Sequence, residues 1–276
     1  MNDYEEMKKL SEEELQEFVK NRITELEKEA QEYGSDSTTI GYYLDYNPVR
    51  QIEDDNIFVD ICGIYKGYAP KGTKIVYGLS YQFEEKGLVG NSGNYYYLDI
   101  DDYIYEFCLW SKDFEIEDEF ELLYCIQKFI YKYFGIFPTI EREKMFELFY
   151  KNDKSFYEPS IEHGISWFKK KGNAMCTEYA ILAQNILSFF GYETYMVLGQ
   201  EKTDNNPSEH HAFNFLSLYD EETDEEELYL LDFAMPVGIY NIKHELIGEF
   251  PFSGYLEDFN EEQLIKFYEN EETITL

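Results

Sequence analysis

Residues 169–191 read Lys169-Lys170-Lys171-Gly172-Asn173-Ala174-Met175-Cys176-Thr177-Glu178-Tyr179-Ala180-Ile181-Leu182-Ala183-Gln184-Asn185-Ile186-Leu187-Ser188-Phe189-Phe190-Gly191. From Cys176 onward, Tyr179, Leu182, Ala183, Ile186, Leu187 and Phe190 recur at helical spacing, and Gly191 supplies the left-handed stop that commonly ends a helix. The spacing therefore predicts a helix with Cys176 in its first turn. Unpaired N–H groups and the positive end of the helix dipole stabilise a thiolate there, and the three lysines upstream are expected to add to that field. A thiolate is a nucleophile; a neutral thiol hardly is.

A nucleophilic cysteine needs a proton carrier, and the carrier needs a residue to orient it. Downstream, Glu209-His210-His211-Ala212-Phe213-Asn214-Phe215-Leu216-Ser217-Leu218-Tyr219 alternates like a strand, and Leu228 to Pro236 reads as a second strand containing Asp232. The acidic run Asp220 to Glu227 between them is expected to join an antiparallel pair. Adjacent positions in a strand face opposite ways, so only one of His210 and His211 can meet the sulfur. The same alternation argues against a metal held by Cys176, His210 and His211 together. Asp232, set among Leu230, Leu231 and Phe233, requires a partner if buried.

The order Cys176-Thr-Glu-Tyr-Ala, His211-Ala-Phe-Asn, Leu231-Asp232-Phe-Ala resembles the transglutaminase-like superfamily of papain-like thiol enzymes over roughly residues 160–240. Many members carry Trp two residues after the histidine, where this chain has Phe213. The resemblance implies Cys176 as nucleophile, His211 as general base and acid, and Asp232 as the residue holding the imidazole. It implies an α+β fold in which the nucleophile helix packs on an antiparallel sheet. The activity implied is acyl transfer at amide bonds of a peptide or protein, as a cysteine protease or amidase, with glutamine-to-amine transfer as the alternative. The oxyanion would be met by the Cys176 N–H and one further donor, for which Trp167 and Asn173 are both candidates. This chemistry needs no cofactor and no metal. A fold retained as a non-catalytic peptide-binding module is the reading from a different class.

Composition narrows the partners. A formal net charge of −34 over 276 residues disfavours nucleic acid and anionic membranes, and favours a basic peptide or protein substrate. With 27 Tyr and 22 Phe the chain has ample apolar surface to fold. Cys62, Cys108, Cys125 and Cys176 show no CxxC spacing, which suits a reducing, cytoplasmic setting. No secretory or bilayer-crossing stretch is read in the chain.

Two domains are expected, an N-terminal helix with a β-rich module over 1–112 and the thiol-enzyme domain over 113–276. Ser11 and Glu14 form a capping box for a helix over 11–33, with Leu10 and Leu15 placed to staple it and an apolar stripe that docks on its own domain. Strands are expected at 56–65, 74–83 and 95–100, the tyrosines serving as packed cross-strand pairs. Asp99, Asp101 and Asp102 lack the glycine and the terminal Glu of a calcium loop. Helices follow at 115–134, from Pro138 to Tyr150, from Pro159 to the lysines, and from Asn260 to about Tyr268. A strand is expected at 192–198, and 199–209 reads as a polar loop bordering a groove.

Overall fold

In a computed structural model of the chain, the described residues are 2–32, 39–40, 50–53, 58–76, 95–99, 102–134, 164–169, 174, 176–203, 206–220, 225–233, 238–241 and 246–248. They form a mixed helical and antiparallel-sheet structure. In chain order the elements are α1 (Asn2–Lys8), α2 (Glu12–Glu32), β1 (Thr39–Ile40), β2 (Arg50–Glu53), β3 (Phe58–Lys66), β4 (Lys74–Val76) and β5 (Tyr95–Tyr97). Next come α3 (Tyr103–Ser111), α4 (Glu119–Phe134), a 3-10 turn (Ile165–Phe168) and α5 (Cys176–Phe189). The chain continues through β6 (Thr194–Thr203), β7 (Asn206–Asp220), β8 (Glu225–Asp232), β9 (Gly238–Asn241) and β10 (Leu246–Gly248). Seven strands make one sheet in the order β10-β9-β8-β7-β6-β3-β2, antiparallel throughout, and β1, β4 and β5 make a small second sheet.

The two faces of the large sheet differ. Met196, Ala212, Leu216 and Leu231 join the main core with the helices, while Val197, Phe213, Phe215 and Leu230 form a separate buried cluster. Each strand thus buries alternate residues on opposite sides, as its period of two dictates. The acidic run joins an antiparallel pair as expected, with Asp220 opposite Glu225 and Asn214 opposite Leu231.

α2 starts where its capping box predicts. The Ser11 N–H donates to Glu14 Oε2 at 2.8 Å and the Glu14 N–H to Ser11 Oγ at 3.3 Å. The Ser11 bonds hold the Glu14 carboxyl below its ordinary range. Leu15, Val19 and Leu26 are buried, Phe18 meets Phe189 edge to face at 5.9 Å, and Arg22 Nε donates to the Phe189 carbonyl at 3.4 Å. α2 therefore docks on the C-terminal end of α5, where a cation complements exposed carbonyls.

Several elements differ from the sequence reading. α3 falls in a stretch read as β-rich, because its aromatic and β-branched residues have strand propensity; burial of Tyr103, Ile104, Phe107, Cys108 and Ser111 follows helical spacing instead. α4 begins at Glu119 rather than 115, since Asp118 Oδ1 accepts the Glu121 N–H at 2.8 Å and caps the helix there. The stretch 199–209 is not a loop. Thr203 pairs with Asn206 and Glu201 with Glu209, so cross-strand pairing carries β6 and β7 through polar sequence. β2 and β3 join the sheet of β6–β10, and the main core cluster includes residues from Tyr4 to Phe233. The helices expected at 138–150 and 260–268, and the start of the one at 159, lie outside the described residues.

Candidate active site

Cys176 is the first residue of α5, partly buried against the main core. Gly191, at φ +84°, ends the helix as its sequence suggests, with the Tyr192 N–H returning to the Leu187 carbonyl at 3.1 Å. Consecutive polar residues in the middle of this apolar helix tie it to the sheet. Gln184 Nε2 donates to the Gly67 and Thr194 carbonyls, both at 2.9 Å, and Gln184 Oε1 accepts from Thr194 Oγ1 and Asn214 Nδ2, both at 3.0 Å. Asn214 Nδ2 also donates to the Ala180 carbonyl at 3.0 Å. Asn185 closes a two-way pair with Ala69, accepting from its N–H at 2.8 Å and donating to its carbonyl at 3.0 Å, and donates to Tyr103 Oη at 2.6 Å.

These bonds fix the sense of the helix on the sheet. Asn214 meets Ala180, and Gln184, one turn later, meets Thr194, whose register partner Leu216 lies two residues further along β7. α5 and β7 thus advance in the same direction. Cys176 precedes Ala180 by one turn, about 6 Å of helix rise. That corresponds to roughly two strand residues before Asn214, the end of β7 that holds His210, His211 and Ala212. β8 runs the opposite way with Leu231 opposite Asn214, so Asp232, its last residue, arrives at the same end.

His211 stands opposite Gly199 and His210 opposite Gln200 in an unbroken stretch of register. Their imidazoles lie outside the described side chains. Ala212, Asn214 and Leu216 occupy the row facing α5, and Phe213 and Phe215 the opposite row. On β8, Tyr229, Leu231 and Phe233 belong to the helix-facing side and Leu228 and Leu230 to the other, which Asp232 continues.

Asp232 is only 2% exposed. Its charge reaches Tyr131 of α4, whose hydroxyl is held well above its ordinary pKa, mainly by burial and in part by that carboxylate, against the opposing effect of Gln127. Glu178, which the sequence reading passed over, is a second buried acid, in the first turn of α5 where the dipole favours its charge. An acid two residues past the cysteine was its only signal.

Of the two candidate oxyanion donors, Trp167 lies in the 3-10 turn, partly buried with its ring edge-on to Phe168 at 5.3 Å; Asn173 is outside the described residues. The turn is anchored twice. Asp99 Oδ1 accepts the Ser166 N–H at 3.0 Å and Asp99 Oδ2 accepts the Ser166 hydroxyl, while Lys169 pairs with Glu106 of α3 at 2.5 Å. Lys169 thus spends its charge locally, a correction to the field expected from it at Cys176. A Cβ on Gly164 would fall 2.3 Å from the Asp99 carboxyl carbon, and Gly164 has φ +66° and ψ −164°, backbone that only glycine adopts readily. Gly164→Ala is expected to lose about 1–3 kcal/mol of stability in urea unfolding. An unchanged midpoint would show that Asp99 is not seated in that space.

Among the described residues no group of three or more His, Cys, Asp or Glu is arranged to hold a metal ion, and no helix is long and apolar enough to cross a membrane. Comparison with models of known families, with curated proteins and with solved structures finds no match to this chain.

Proposed function

We propose that the protein is a thiol-dependent acyl-transfer enzyme acting on amide bonds of a peptide or protein, built on a papain- or transglutaminase-like core. The supporting observation is that the start of α5 with Cys176 and the end of β8 with Asp232 lie on the side of Asn214 toward which β7 carries His210 and His211. Cys176 Sγ attacks the amide carbonyl carbon and His211 takes the thiol proton. The C–N bond breaks as the imidazolium returns that proton to the leaving amine, and the thioester passes to water or to a second amine. Asp232, on the neighbouring strand, orients the imidazole. The acidic surface suits a basic substrate segment, drawn in by long-range attraction that weakens with salt.

A second reading assigns the base to His210, because adjacent strand positions face opposite ways and only one of the pair can meet the sulfur. Both are tested by incubating wild type, Cys176→Ala, His210→Ala and His211→Ala with a diverse peptide mixture containing a primary amine. Mass spectrometry scores cleavage, deamidation and amine incorporation together. Product is expected from wild type and not from Cys176→Ala, and the variant lacking the true base should lose about a hundredfold or more. Activity lost with His210 alone would move the base to that residue. Wild type inactive in all three assays would leave a peptide-binding module.

A further inference from the structure

We propose that Tyr131 of α4 is a positioning residue that couples the nucleophile helix to the acid at the end of β8, an inference that rests on the thiol-enzyme reading. Its hydroxyl donates to the Phe233 carbonyl at 2.6 Å, one residue beyond Asp232. Its ring meets Tyr179 edge to face at 6.0 Å, and Tyr179 is stacked on Phe134 at 5.8 Å from the same helix. Tyr179 lies three residues after Cys176, hence on the neighbouring turn of the same helical face. One buried side chain therefore touches both the turn that carries the sulfur and the backbone that carries the carboxylate.

The placement has a physical consequence. β8 ends at Asp232, whose ladder partner on β9 is Gly238, and the Tyr131 bond falls on the very next residue. The hydroxyl bond to Phe233 ties that backbone to α4 in a dry environment where a hydrogen bond is strong and directional. Negative charge at Asp232 is also felt at this hydroxyl, so the two groups are electrostatic neighbours as well as chain neighbours. Loss of the hydroxyl would let the carboxylate wander and weaken its hold on the imidazole.

The test uses iodoacetamide alkylation of Cys176, followed by peptide mapping from pH 5 to 9, on wild type, Tyr131→Phe, Asp232→Asn and Tyr4→Phe. Tyr4 is the control, since its buried hydroxyl makes an equivalent 2.6 Å bond to the Ser111 carbonyl in a different part of the core. Below neutral pH, Tyr131→Phe and Asp232→Asn are both expected to lower the alkylation rate, Tyr131→Phe by about fivefold, the equivalent of one ordinary hydrogen bond, with Tyr4→Phe unchanged. A shifted profile in Asp232→Asn with a wild-type profile in Tyr131→Phe would overturn the proposal and leave the triad standing. Equal losses in Tyr131→Phe and Tyr4→Phe would reduce Tyr131 to an ordinary core residue. A wild-type profile like that of an ordinary thiol, with no variant departing from it, would overturn both the proposal and the reading beneath it.

Discussion

Iodoacetamide added to the native protein at neutral pH is expected to alkylate Cys176 on the order of a thousandfold faster than Cys125, and to spare Cys108 still more completely. Only the thiolate reacts, and an ordinary cysteine ionises near pH 8.5. Cys125 lies on the inner face of α4, where burial pushes its pKa up to about 12, with Lys128 opposing the shift only in part. Cys108 in α3 is more deeply placed, and burial raises it further. Cys176 is partly exposed at a helix start. Burial lifts Cys125 from 9.0 to about 12, which lowers its thiolate fraction about a thousandfold below that of an unshifted thiol. Timed peptide mapping measures it directly. Comparable labelling of Cys125 and Cys176 in the folded state would mean that α4 opens readily or that Cys176 is shielded.

Gln184→Leu is expected to destabilise the protein by about 3 kcal/mol, although it replaces a polar side chain with an apolar one in a wholly buried position. Leucine preserves most of the volume and removes five hydrogen bonds, those to the Tyr65, Gly67 and Thr194 carbonyls and those from Thr194 and Asn214. Part of that loss is absorbed. Thr194 Oγ1 still reaches the Phe215 carbonyl at 3.0 Å, the Thr194 carbonyl still accepts the Gly67 N–H at 3.0 Å, and Asn214 keeps Ala180. The Gly67 carbonyl and the second Asn214 N–H lose their Gln184 partner in a buried setting, each at a cost of about 1–3 kcal/mol. Urea unfolding should show a lower midpoint at unchanged slope. The double variant Gln184→Leu with Asn214→Leu should cost less than the sum of the single changes, because removing both partners leaves fewer stranded groups. Additive losses would show that the two amides act independently.

The same two amides explain why so much about α5 could be read and yet its orientation could not. Periodicity exposes the apolar stripe from Tyr179 to Phe190 and the glycine that ends it, since those signals are local. Gln184 and Asn185 sit inside that stripe as two polar residues with no partner in their own neighbourhood. Their partners are Tyr65, Gly67, Ala69, Tyr103, Thr194 and Asn214, brought in from four separate stretches of chain. Nothing local distinguishes a buried amide awaiting such partners from an exposed one.

α3 and the β6–β7 hairpin show the converse. Tyr103 to Ser111 has the composition of a strand and becomes a helix because its buried side, from Tyr103 to Phe107 and Ser111, packs beside α2 and α5. The polar run from Gly199 to Glu209 has the composition of a loop and becomes two strands because the register set by Val197↔Phe213 propagates outward. In both, long-range packing overrides weak local preference.

Order and type of the chemical groups, a cysteine opening a helix and then a histidine pair and an acid on successive strands, are legible along the chain because caps, periods and alternation involve only neighbours. Bringing those groups toward one end of a sheet is a matter of which way α5 runs over β7 and where β8 stops. That follows from amide bonds between residues up to 119 positions apart, which exist only once the core has closed. Strand period alone sets His210 and His211 on different rows; only the packed sheet shows that α5 covers the row of Ala212, Asn214 and Leu216.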